Sequence, residues 1–148
     1  MTARTTRLDD AVRGALRSAG AAAKRGLGEP ALAELVQVRA SQLNHCAFCL
    51  DMHLALARQH GVSGRQLDLL DAWEEAGDVF SERERAALAL TEAVTVLTDG
   101  FVPDAVHDQA AQHFDEPRLA HLIALISVIN AWNRLMVSRR IPAGSAKW

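Results

Sequence analysis

Cys46 and Cys49 are the two cysteines of a 148-residue chain, and His53 follows the second by four positions in the run LNHCAFCLDMH. Several chemistries use such residues. Two thiols at this spacing can close a disulfide, two thiolates with an imidazole can hold part of a metal site, and one thiolate beside a base can attack an electrophile. Structural zinc takes four ligands as a rule. The chain has no second Cys-x-x-Cys, and His45 and His60 do not stand at a finger spacing. Plain packing is a further reading, because free cysteine is often buried as a small apolar residue.

What positions the three side chains decides among these. A helix that starts near Asn44–Cys46 and runs to His60, stopped by Gly61, brings positions 46, 49 and 53 within roughly 60° of one another on its surface. The first turn of a helix presents unpaired N–H groups and a partial positive charge, which favour thiolate over thiol. His53 can accept or return a proton near neutral pH. An activated sulfur, a second sulfur to resolve it and a proton carrier make up a two-electron redox centre. The histidines at 45, 60, 107, 113 and 121 read as surface or packing residues.

The remaining elements are helical too, since no segment alternates with the period of two that marks a strand. A first amphipathic helix is predicted over about 8–25, ending near the punctuation of Gly26 to Pro30. Pro30 suits the first turn of a second helix through Asn44. On that helix Leu32, Leu35, Val36, Arg39 and Leu43 share a stripe, with Arg39 its anomaly. Glu34 lies opposite, beside Val38 and Ser41, where periodicity reads it as solvated. Ser63 caps a short fourth helix. Ser81 and Glu84 form a capping-box signature for a fifth, with Gly100 as its terminator. Pro103 opens a shorter sixth helix, and a last one is predicted over about 116–138.

That last helix contains LAHLIALISVINAW, apolar nearly all round. It is too short, and too interrupted by His121, Ser127 and Asn130, for a membrane span. A helix apolar on every side must be buried, and one small domain rarely covers all of it, which points to self-association. The fold class expected is all-α, a single domain over 1–148 of six to seven helices, with 1–30 forming an N-terminal helix and arm.

Composition sets the surroundings. Apolar residues make up 49% of the chain and the formal net charge is -2, which offers no electrostatic reason to expect nucleic acid. The N-terminus lacks the apolar core of a signal peptide, and Asp9 and Asp10 argue against a transit peptide. The expected location is the cytoplasm. There reductants keep thiols open, so a close cysteine pair is more often catalytic or metal-binding than a structural staple.

The segment ELVQVRASQLNHCAFCLDMH resembles the core motif of the alkylhydroperoxidase AhpD-like group in the carboxymuconolactone decarboxylase superfamily. That pattern sets a glutamate twelve residues before the first cysteine, then Cys-x-x-Cys, then a histidine four residues after the second. Glu34, Cys46, Cys49 and His53 match it. FSERERAALALTEAVT, VPDAV and INAWNRL are similar to the family's later helices, so the resemblance covers roughly residues 8–140.

The resemblance implies an all-helical fold, a symmetric oligomer (commonly a trimer or hexamer) and reduction of peroxides by the thiol pair. It implies that Cys49, paired with His53, attacks the peroxide, that Cys46 resolves the product, and that Glu34 relays protons or orients His53. It also implies a thioredoxin-like or lipoyl-bearing dithiol as electron donor, with no cofactor and no metal. The helix argument alone favours Cys46, nearer the helix start, as the more acidic thiol. Two positions depart from the group: His45 stands where a small residue such as glycine is common, and Phe48 replaces a second histidine. Two rivals remain open, a redox-sensing or binding oligomer and a lactone decarboxylase of the same superfamily. The redox pair argues against the latter.

Overall fold

The computed structural model describes residues 2–4, 6–146 and 148; Met1, Thr5 and Lys147 lie outside the described residues. Seven α-helices follow one another with no strand among the described residues: α1 Asp10–Leu27, α2 Pro30–Leu43, α3 Ala47–Gln59, α4 Gly64–Leu69, α5 Glu82–Thr95, α6 Asp104–His113 and α7 Glu116–Arg139. Two 3-10 turns, Leu70–Glu75 and Gly77–Val79, link α4 to α5.

Local chemistry accounts for most boundaries. Asp9 caps α1 by accepting from the N–H groups of Ala11 and Val12. Ser63 does the same for α4 through Gln66, and Asp115 for α7 through Arg118. Ser81 and Glu84 close the capping box of α5 reciprocally. These contacts satisfy orphan donors at helix starts, each worth about 1 kcal/mol.

Two ends bear on the sequence expectation: the first falls inside the predicted punctuation of Gly26 to Pro30, the other stops short. α1 continues through Gly26 to Leu27 and stops at Gly28, which takes the left-handed conformation at φ 72°. Gly26 is a contact residue rather than a breaker, because a Cβ there would collide with the ring of His121 on α7. Second, α5 ends at Thr95 instead of reaching Gly100. Its last turns carry the β-branched residues Thr91, Val94, Thr95 and Val96, which favour helix weakly. The Thr95 hydroxyl accepts from Asn130 Nδ2 at 3.0 Å, a tertiary bond that fixes the end of α5 against α7.

α2 runs through the middle of the molecule, packed on α3, α5 and α7. Every residue from Leu32 to Ser41 is buried, so the helix has no wet side. This overturns the placing of Glu34 on a solvated face: it is 2% exposed. Arg39 is buried as well, and its guanidinium is held by Asp71 at 2.7 Å, Glu92 at 2.8 Å and Gln42 at 3.0 Å. Trp73 Nε1 donates to the same Glu92 carboxylate at 2.7 Å.

α7 is the one helix among the described residues that is long and apolar enough to span a membrane by length and composition. Its neighbours in the fold are α1, α2, α3, α5 and α6. Leu122, Leu125, Ile126 and Ile129 are fully buried within one chain, each worth roughly 1.5–3 kcal/mol of burial. Of the apolar residues expected to need cover from another chain, Ile123, Val128 and Trp132 are half-buried in the single chain.

Candidate active site

The turn between α2 and α3 delivers the cysteines. Asn44 ends α2, and His45 takes a left-handed backbone at φ 53°, the region glycine enters most readily. The imidazole of His45 consequently sits on the exposed side of the corner rather than in the core. Cys46 is the N-cap of α3, and its sulfur accepts from the Cys49 N–H at 3.3 Å. The two cysteines are joined as a disulfide with Cα atoms 5.4 Å apart. Both are buried, and the helix start lies beneath them as the spacing predicts.

Three asparagines hold this corner to α7. Asn44 Nδ2 donates to Asn130 Oδ1 at 2.8 Å and to Asn133 Oδ1 at 2.9 Å, and Asn133 Nδ2 donates to Ser41 Oγ at 3.1 Å. Sequence reasoning did not single out this ladder. Two asparagines three positions apart, Asn130 and Asn133, in an apolar stretch of helix are the signal that could have revealed it.

One turn beyond Cys49, His53 is 4% exposed and faces α2. Its Nδ1 lies 2.7 Å from Glu34 Oε2. A carboxylate only accepts, so Nδ1 carries the hydrogen and Nε2 is left as the basic nitrogen. The other oxygen of Glu34 accepts from Lys24 Nζ of α1, also at 2.7 Å. Burial works to raise the pKa of Glu34, but hydrogen bonding and charge from His53, then from Lys24, outweigh it and hold the carboxyl below the ordinary 4.5. Glu34 is therefore ionised across the neutral range. Lys24 went unnoticed in the sequence because it lies ten positions before Glu34, on another helix.

A cavity of about 320 Å³ opens beside this assembly. Cys49 and His53 reach its wall together with Phe48, Met52, Trp132 and Trp148, whereas Cys46 does not. Phe48 and Trp148 stack obliquely with ring centres 5.5 Å apart, and Trp148 meets Trp132 edge-on at 5.5 Å. The wall is thus mostly apolar, with the reactive side chains at one point of it. The four residues singled out by motif are linked in contact: Cys46 is bonded to Cys49, and His53, one turn on, is paired with Glu34 behind the wall. Among the described residues no group of three His, Cys, Asp or Glu side chains is placed to hold a metal ion.

Comparison with known proteins follows the same lines. The family model of the carboxymuconolactone decarboxylase family matches residues 9–93. The chain is 40% identical over 112 residues to the uncharacterized protein YdfG of Bacillus subtilis, covering 76% of each. It is 36% identical over 121 residues to the uncharacterized protein YnjA of Escherichia coli, covering 81% of this chain and 65% of that one. A crystal structure from Agrobacterium tumefaciens superposes with a TM-score of 0.85 at 31% identity, over 92% of both chains. That protein, of unknown function, has been suggested to be the antioxidant defence protein AhpD.

Proposed function

The chain belongs to the carboxymuconolactone decarboxylase family, and from that premise we propose that it is a thiol-dependent peroxidase of the AhpD-like kind. The observation that carries the reading is the chain of contacts from cavity to buried charge. Cys49 and His53 share the cavity wall, and His53 is backed by an ionised Glu34 that Lys24 in turn holds.

In the reduced protein, Cys49 gives its proton to His53 Nε2 and attacks the O–O bond of a hydroperoxide ROOH as thiolate. The products are the Cys49 sulfenic acid and alkoxide RO⁻. Cys46 protonates the alkoxide to ROH and, now a thiolate, attacks the sulfenic sulfur. The Cys46–Cys49 disulfide forms and hydroxide leaves, taking the proton held by His53 to become water. Two thiols and one hydroperoxide thus yield one disulfide, one alcohol and one water. Glu34 steadies the imidazolium that exists between the first and last steps.

Access supports this order of attack, which the family resemblance implies. Cys49 meets the cavity, while Cys46 lies behind it and caps the helix. This outweighs the argument from helix position, by which Cys46 would be the more acidic thiol.

An external dithiol then reduces the disulfide by exchange. A lipoyl-type or thioredoxin-like donor serves, and the narrow cavity favours a slender dithiol at Cys49. The test is steady-state consumption of cumene hydroperoxide with dihydrolipoamide as reductant. Wild-type protein should turn over and Cys49→Ser should not; equal rates in both would end the reading.

A further inference from the structure

The N-terminal arm, α1 and the end of α7 enclose a second cavity of about 610 Å³ whose wall carries Arg4, Arg7, Arg13, Arg17 and Arg139. Five guanidinium groups around one cavity are unexpected in a chain with a net charge of -2. Among the described residues, the carboxylate side chain paired with any of them is Asp10, 3.7 Å from Arg7, and both of those are exposed.

Part of the cluster has a structural task. Arg4 Nη1 donates to the Ser138 carbonyl at 3.0 Å, Arg139 Nε to the Thr6 carbonyl at 2.7 Å and Arg13 Nη2 to the main-chain oxygen of Trp148 at 2.5 Å. These bonds fasten the arm and residue 148, and the acceptors at Ser138 and Thr6 are neutral carbonyls. Two buried nitrogens of the same side chains, Arg13 Nε and Arg139 Nη1, have no hydrogen-bond partner among the described residues.

The cavity is not isolated. Arg17 and Trp148 line both it and the cavity at Cys49. The Trp148 ring has the guanidinium carbons of Arg13 and Arg17 5.1 and 4.9 Å from its centre, and packs on Phe48 and Trp132 as well. One aromatic side chain therefore forms the partition between an apolar chamber at the redox pair and a cationic chamber beyond it.

We infer that the arginine-lined chamber binds the carboxylate of an amphiphile whose apolar part occupies the chamber at Cys49. The inference deepens the peroxidase reading and rests on it for the identity of the reacting group: the substrate class is a fatty-acid hydroperoxide, carboxylate at the arginines and O–O bond at Cys49. An apolar volume of about 320 Å³ suits an alkyl segment and lies at the small end of ligand sites.

Binding and turnover test the two parts separately. Calorimetry on the oxidised protein, with decanoate against decanol, reads the site without chemistry. Decanoate should bind at least ~10-fold more tightly, as one or more charge-assisted hydrogen bonds would give, and the advantage should shrink with salt. Arg17→Gln should erase most of it and Arg17→Lys should retain it. Arg17 is exposed and takes no part in the bonds that fasten the arm, so the fold should survive either change. Arg13→Gln provides an independent second variant. Turnover of linoleic acid hydroperoxide against its methyl ester then gives a kcat/KM ratio that should follow the same order across these proteins.

Equal affinity for decanoate and decanol, or a preference untouched in both glutamine variants, would overturn the site. A decanoate preference without turnover of either hydroperoxide would uphold the site and overturn the peroxidase. Turnover of acid and ester at equal kcat/KM would do the reverse.

Discussion

Glu34 Oε2 and His53 Nδ1 lie 2.7 Å apart with both side chains buried, so an ionised carboxylate fixes the tautomer of the imidazole at the redox pair. Glu34→Gln keeps the shape and removes the charge. Peroxide turnover should fall by ~10- to 1000-fold, in line with loss of one acid–base partner. The fall should be largest near neutral pH and shrink in alkali, where the thiol ionises unaided. A turnover-against-pH profile checks it; wild-type rates throughout would remove Glu34 from the chemistry.

The same carboxyl sets a stability limb. Its pKa is depressed below 4.5 in the folded protein. The stabilisation is therefore complete above 4.5 and is lost as pH falls from there through the folded value. Lys24→Met should move this limb to higher pH, because Lys24 is one of the groups that depress Glu34. Lys24 is partly exposed, so its effect on turnover should be small, about 2- to 5-fold. Urea denaturation at a series of acidic pH values measures the limb.

Peroxide should leave different marks on the two cysteine variants. Cys46→Ser should accumulate a sulfenic acid on Cys49, trapped by a dimedone reagent, because no second thiol resolves it. Cys49→Ser should show no fast oxidation, since Cys46 does not reach the cavity. Fast labelling of Cys46 in that variant would reverse the assigned order.

Asn133→Ala should weaken the corner that carries the pair. Asn133 is fully buried and bonds both Asn44 and Ser41. Its loss strands their polar groups, a cost of about 1–3 kcal/mol in denaturant unfolding. An unchanged midpoint would show that water takes over the bonds.

Ile123, Val128 and Trp132 stay half-buried on α7, while Val12 and Val137 are among the exposed apolar side chains. We expect a second copy to cover part of this apolar surface in a closed symmetric oligomer. Light scattering that finds monomer alone at micromolar concentration would refute it.

Fold and site were legible to different degrees. Caps at Ser63, Ser81 and Pro30, and the helix start at Cys46, follow from bonds between residues close in sequence, which depend little on the rest of the chain. For the same reason the shared face of Cys46, Cys49 and His53 was readable from spacing alone. The end of α5 at Thr95 was not, because Asn130 holds it from across the bundle.

Glu34 shows most clearly where local reasoning stops. Periodicity reads one helix against one apolar face, but α2 is enclosed on all sides, and an enclosed helix must bury polar residues with partners. The partners are His53, nineteen positions later, and Lys24, ten positions earlier, on two other helices. The residue types and intervals determined that a thiol pair, a base and a helix start would coincide. Which sulfur meets the cavity, what holds the imidazole and how the arginines gather beyond Trp148 were decided by packing between distant segments, since burial and charge pairing depend on neighbours in space rather than in sequence.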